Sequence, residues 1–157
     1  MENELAISKA GYEDSSVVTT TQYIVIALGT EQYGIDIKYI DNIVRMQQIT
    51  RVPQVSPYWK GVINLRGEVI PVMSLRVKMG LEKDVETKNS RIIIIKQDQH
   101  EPIGVMVDSV KEVVTLSSNQ VEKVTGEAKE DGYVSGIGKQ ETGLISLLDI
   151  EQVMQDM

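Results

Sequence analysis

The sequence predicts a mainly β protein built from closed or sandwiched barrels, with short helical turns between the strands. Three observations carry that expectation. β-Branched and aromatic residues gather in short runs, such as Tyr23-Ile24-Val25-Ile26-Ala27-Leu28 and Ile92-Ile93-Ile94-Ile95, separated by turn residues. Helical spacing of apolar residues is never sustained, which argues against βαβ units. A glycine-bearing return strand occurs twice, as Tyr33-Gly34-Ile35-Asp36-Ile37 and as Ile103-Gly104-Val105-Met106-Val107-Asp108, hinting at internal duplication.

The elements follow in order. Residues 1–21 are polar, mixed and without period, and read as a mobile tail; order is expected from Gln22. Residues 23–28 and 33–35 form a hairpin around Gly29-Thr30-Glu31-Gln32. Asp36 is placed to cap a short helix in which Ile37, Ile40, Ile43 and Val44 recur near helical spacing, with a possible change to strand near Ile43. Pro53 and Pro57 make 51–59 a connector. Residues 60–73 form a second hairpin, and 75–81 a short helix stopped by Gly80. Residues 82–90 are a polar loop. Residues 91–96, apolar on both faces, read as a central strand. Residues 102–107 return as a strand, and 108–114 are either a short helix or a bent strand. A cap-like connector at 117–121 and a charged loop at 123–131 precede a hairpin over 133–139 and 143–148. Residues 149–154 close the pattern as a short helix.

The chain has 157 residues, is 41% apolar and carries a net charge of −7, enough for one domain with a real core. An acidic balance disfavours nonspecific nucleic-acid binding and docking on an anionic membrane. The absence of cysteine removes disulfides, zinc–thiolate sites and thiol catalysis. No run approaches the ~20 apolar residues of a membrane-spanning helix, and no secretory leader is recognisable, so a cytoplasmic protein is expected.

Catalytic arrangements fail on inspection. The single histidine, His100, lies in Gln97-Asp98-Gln99-His100-Glu101, the composition of an exposed hairpin tip. Gly136-Ile137-Gly138-Lys139 resembles a phosphate loop, but its glycine spacing is wrong and Gln140 stands where a metal-holding hydroxyl belongs. Asp36 with Asp41, and Asp108 with Glu112, fit caps or solvated faces better than acid–base pairs. Aromatic residues are only 4%, too few for base stacking. Neither a metal nor a cofactor is expected, and the protein reads as a binding module rather than an enzyme.

The most informative stretch is Lys60-Gly61-Val62-Ile63-Asn64-Leu65-Arg66-Gly67-Glu68-Val69-Ile70-Pro71-Val72-Met73. Two β-type runs flank a polar corner that carries an arginine. A planar, permanently charged five-donor fork at a bend between strands points to recognition.

These residues carry a resemblance. Tyr33-Gly34-Ile35-Asp36-Ile37, Ile49-Thr50-Arg51-Val52-Pro53, Gly61-Val62-Ile63-Asn64-Leu65-Arg66-Gly67, Val69-Ile70-Pro71-Val72, Leu75-Arg76 and Gly104-Val105-Met106-Val107-Asp108 occur in the order seen in the CheW family of chemotaxis coupling proteins, and the chain resembles that family over roughly residues 22–154. The resemblance implies two similar five-stranded barrels packed around a shared hydrophobic core, with residues 22–157 as the domain and 1–21 as a flexible tail. It implies a non-enzymatic adaptor, recruited to receptor arrays at the inner face of the membrane. The implied partners are the cytoplasmic domain of methyl-accepting chemoreceptors and the regulatory domain of the histidine kinase CheA, with no nucleic acid and no membrane insertion. Carried over by position, Arg66, Asn64, Leu65, Ile40 and Ile43 are receptor-binding candidates. Gly61, Asn42 and Val113 are less certain partner-binding positions. Position 42 is commonly acidic in the family, so any salt bridge assigned there is in doubt with Asn42. A CheW-like scaffold in a non-chemotaxis kinase pathway and a small-ligand-binding β-barrel are the alternatives.

Overall fold

The computed structural model describes residues 17–124 and 132–155. Most of the expected tail over 1–21 and of the charged loop over 123–131 falls outside these residues. The strands are β1 (Thr20–Leu28), β2 (Glu31–Asp36), β3 (Ile40–Arg45), β4 (Trp59–Leu65), β5 (Glu68–Ser74), β6 (Arg91–Ile95), β7 (Ile103–Val107), β8 (Ser109–Ser117), β9 (Val121–Lys123), β10 (Val134–Gln140) and β11 (Gly143–Leu148). Two short helices, α1 (Leu75–Lys78) and α2 (Ile150–Val153), follow β5 and β11.

The strands form two sheets, of six strands in the order β8-β1-β2-β11-β10-β9 and of five in the order β3-β6-β7-β5-β4. This corrects the expectation of two closed five-stranded barrels. Closure needs a ladder between the outer strands with a fixed stagger. The outer strands β8 and β9 are instead joined end to end by the 3₁₀ turn Ser118–Gln120, and no ladder pairs them among the described residues. The outer strands β3 and β4 are likewise not paired with each other, and among the described residues the one isolated bridge near that edge joins Thr50 and Val62. The sheets are open.

The duplication hinted at by the sequence has a structural counterpart. Hairpin β1–β2 joins the six-stranded sheet through a parallel β2–β11 pair, with Gly34 opposite Leu147. Hairpin β6–β7 joins the five-stranded sheet through a parallel β7–β5 pair, with Gly104 opposite Val72. Each half of the chain thus places its first hairpin in the sheet built mainly by the other half. The two halves interlock.

Alternation along the strands explains the core. In β6, Ile93 and Ile95 face a cluster between the two sheets that includes Ile26, Leu28, Ile35, Met73, Val105 and Val107. Ile92 and Ile94 face a second cluster with Ile63, Ile70, Val72 and Met106. Both faces of β6 are buried, which is why its sequence reads as an unbroken apolar run. A third cluster, with Val25, Leu116, Ile145 and Leu147, fills the other face of the six-stranded sheet.

Short polar ties close the ends. Ser74 Oγ accepts from Val77 N at 3.1 Å and so caps α1. The same hydroxyl donates to Asp84 Oδ2, holding the 79–90 crossover against the sheet. The Asp84 side chain is only 2% exposed, with Lys60 Nζ 3.8 Å from its Oδ2. Ser74→Ala removes a cap and takes a donor from a buried carboxylate, and is expected to cost about 1–2 kcal/mol. Urea denaturation at neutral pH checks this; an unchanged midpoint contradicts the tie. On the far side of α1, Arg76 forks onto Asp108 at the end of β7.

Candidate functional site

The Arg66 corner is a two-residue hairpin. Leu65 and Glu68 form the last pair of the β4–β5 ladder. Between them, Arg66 has φ 54° and Gly67 has φ 85°. Positive φ at both central residues is the type I′ geometry that matches strand twist, and glycine suits the second position. The left-handed conformation costs an arginine about 1 kcal/mol. Asn64 Oδ1 accepts from Gly67 N at 3.0 Å, so its side chain pins the turn. Arg66 is exposed, and no carboxylate pairs with it among the described residues.

Arg66, Leu65 and Asn42 meet at one place. They line a shallow hollow of about 180 Å³ together with Asp41, Glu68, Lys96 and Pro102. Asn42 is half-buried, and its Oδ1 accepts from Ile43 N at 2.9 Å. Pro102 continues from this hollow into a larger groove of about 650 Å³ between α2 and the edge of the five-stranded sheet. Trp59, Pro71, Ile95, Ile103 and Met154 supply its apolar lining, and Glu101 and Glu151 add negative charge. Ile40 pairs with Ile95 and Ile43 with Ile93 on edge strand β3; both are half-buried against the cluster between the sheets.

Gly61 and Val113 are placed differently. Gly61 is buried in β4 with φ 142°, and a Cβ there would lie 2.1 Å from the Thr50 carbonyl oxygen. Val113 is 52% exposed on β8, opposite Ile24 in the other sheet. Neither lines the hollow or the groove.

The groove residues were not singled out from the sequence. Trp59 is assigned there to a connector, yet it is the first residue of β4. The available clue was Pro102, directly before β7, since prolines favour the starts of strands. His100, at the β6–β7 turn, also lines the groove, and its Nδ1 lies 2.9 Å from the Asp98 carbonyl oxygen. No group of three or more His, Asp or Glu side chains is placed to hold a metal among the described residues. No helix among them is long and apolar enough to cross a membrane.

Comparisons with known proteins agree over most of the chain. Residues 22–157 match the family model of the CheW-like domain. The chain is 35% identical to the chemotaxis protein CheW of Bacillus subtilis over 142 residues, covering 89% of this chain and 90% of that one. It is 30% identical to the chemotaxis protein CheW of Helicobacter pylori over 149 residues, covering 94% and 90%. The crystal structure of scaffolding protein TtCheW from Thermoanaerobacter tengcongensis superposes with a TM-score of 0.74 at 32% identity, covering 83% of this chain and 90% of that chain.

Proposed function

This chain belongs to the CheW family, and on that premise we propose how its geometry serves the family's role. The protein is a non-enzymatic adaptor that couples chemoreceptors to the histidine kinase CheA in chemotaxis signalling. It works by binding and geometry, holding partners at fixed relative positions. The receptor arm is the cytoplasmic tip of a chemoreceptor, a helical hairpin. The kinase arm is the regulatory domain of CheA.

The receptor tip lies along the groove lined by Trp59, Ile95, Ile103 and Met154, with its apolar i, i+3, i+4 side chains inward. Arg66, at the end of that path, forks onto a receptor carboxylate or helix-end carbonyls. The observation that carries this reading is Pro102, which lines both the Arg66 hollow and the apolar groove. As the residue common to both linings, it brings the charged corner next to the apolar track. Position 42 is a neutral Asn42, and although Asp41 and Glu68 share the hollow, neither forms an ion pair with Arg66 among the described residues, which leaves its guanidinium open to a partner carboxylate. Ile40 and Ile43 hold the wall behind the track. Recruitment to receptor arrays beneath the membrane follows from these two arms.

Arg66→Ala is expected to weaken binding of a receptor cytoplasmic fragment by about 1–3 kcal/mol, with the CheA arm retained. Arg66→Gly weakens it equally while raising stability by up to about 1 kcal/mol, because glycine adopts positive φ without strain. Pull-down and thermal denaturation of both variants check this. Undiminished receptor binding by both overturns the site.

A further inference from the structure

We propose that the margin formed by the end of β3, the start of β6 and the connector before β4 docks a short acidic segment of a protein partner. Arg45, Arg51, Lys60, Lys88 and Arg91 border it, on a chain whose net charge is −7. Arg51 and Lys60 line an open hollow of about 520 Å³ with Met46, Gln47, Ile49 and Glu86. Arg45 directly precedes that lining, and its carbonyl oxygen accepts from Gln47 Nε2 at 3.0 Å. Lys88 follows Glu86 in the crossover, and its carbonyl accepts from Arg91 Nη1 at 3.0 Å.

The charges here are only partly answered: Arg91 Nη1 donates to the Lys88 and Ser90 carbonyl oxygens, which carry no counter-charge. Arg45 stands directly opposite Arg91 in the β3–β6 ladder. Like charges in that position destabilise a sheet. No carboxylate forms an ion pair with Arg45, Arg51 or Arg91 among the described residues. Lys60 reaches only Asp84, at 3.8 Å, and that carboxylate is already engaged by Ser74. Glu86 is the one acidic side chain in the hollow's lining. A partner carboxylate between the two arginines relieves their repulsion and gains charge-assisted hydrogen bonds.

The same charge balance selects the occupant. At ~0.1 M salt, attraction extends only about 10 Å. An extended polyanion, such as a membrane or a nucleic acid, also meets the surrounding acidic surface. A short run of Asp and Glu meets only the patch. Half-buried Met46 and Ile49 offer an apolar foothold, so the segment carries an aliphatic residue among its acids. This surface shares no lining residue with the Arg66 hollow, and its success or failure is independent of that site.

The test uses the full chain and a fluorescein-labelled, glutamate-rich peptide carrying one leucine, read by fluorescence anisotropy at low salt. Wild type binds, and added salt weakens binding. The double variant Arg45→Glu, Arg51→Glu binds at least about tenfold more weakly. Its melting temperature holds or rises, because Arg45→Glu places opposite charges across the ladder from Arg91. Lys111→Glu, an exposed charge reversal on β8, leaves binding intact. Absence of wild-type binding, equal binding by the double variant, or an equal loss in Lys111→Glu overturns the proposal. Tighter binding of inorganic polyphosphate or phosphatidylserine vesicles to the same residues overturns the choice of occupant.

Discussion

Gly61→Ala is expected to cost about 3–5 kcal/mol, a large part of the roughly 5–15 kcal/mol that stabilises an ordinary domain. The new Cβ would stand 2.1 Å from the Thr50 oxygen, 2.7 Å from the Thr50 carbonyl carbon and 2.9 Å from Ile49 Cγ2. Two of those atoms are backbone and cannot swing aside. The same oxygen accepts from Val62 N at 2.8 Å, while Thr50 N donates to Val62 O at 2.8 Å. Relief of the clash therefore breaks the bridge that ties the connector to β4. The φ of 142° adds strain for any side chain. Gly61 thus fixes the placement of β4, which leads into the Arg66 turn. Urea denaturation reads the loss directly, and a midpoint equal to wild type contradicts the close approach.

Asp108→Ala is expected to cost about 2–3 kcal/mol. Asp108 Oδ1 accepts from Arg76 Nε at 2.8 Å, and Oδ2 accepts from Arg76 Nη2 at 2.6 Å and from Gly29 N at 2.7 Å. One carboxylate therefore ties α1, the end of β7 and the β1–β2 turn, drawing on both halves of the chain and both sheets. Removing it strands a guanidinium and a backbone N–H. The Asp108 and Arg76 side chains are 26% and 18% exposed, so water screens part of the effect and the cost falls below that of a fully buried pair. The pair also sets a pH dependence. The hydrogen bond from Arg76 holds the Asp108 carboxyl below its ordinary range, against the opposing effect of burial. A depressed folded-state pKa stabilises the protein above the unfolded value of about 3.9 and stops doing so as pH falls through the folded one. The stability gap between wild type and Asp108→Ala is therefore largest near neutrality and closes in acid. A gap that is constant from neutral pH to about pH 3 contradicts the ion pair as its source.

Local elements were legible where local chemistry decides them. The Ile92-Ile93-Ile94-Ile95 run is a central strand because both its faces are buried. The two short helices stand where they are expected, at Leu75–Lys78 and Ile150–Val153, with Ser74 and Asp149 as their caps. The stretch after Asp36 was less legible. Ile37, Ile40 and Ile43 have helical spacing, yet the helix is a single 3₁₀ turn, Ile37–Tyr39. From Ile40 onward, pairing with β6 overrides the local preference. The bent-strand reading of 108–114 is the one that holds, in β8. Barrel closure was not legible at all, because strand number and turn spacing do not say whether the outer strands pair. The parallel joins β2–β11 and β5–β7 link segments far apart in the chain, and no short pattern announces them.

The site divides in the same way. What was legible of Arg66 is its place: the sequence puts it in the corner between two strands, and it stands there in the β4–β5 turn with φ 54°. The hydrogen bond from Gly67 to Asn64 is local and turns the Asn64 side chain inward to the hairpin. The apolar track was hidden because Trp59, Ile103 and Met154 come together only in the folded chain. Val113 lies in the other sheet from Arg66 and does not line the Arg66 hollow.

The most direct test is a paired titration of the purified chain with a chemoreceptor cytoplasmic fragment and, separately, with the regulatory domain of CheA. Wild type and Arg66→Ala are compared in each. Trp59, the single tryptophan and part of the groove lining, supplies the fluorescence signal for the receptor arm when the fragment lacks tryptophan. The account predicts that wild type binds both partners, that receptor binding perturbs Trp59, and that Arg66→Ala weakens the receptor arm about fivefold or more while the kinase arm stays intact. Full-strength receptor binding by a folded Arg66→Ala variant, with Trp59 fluorescence unmoved, contradicts it.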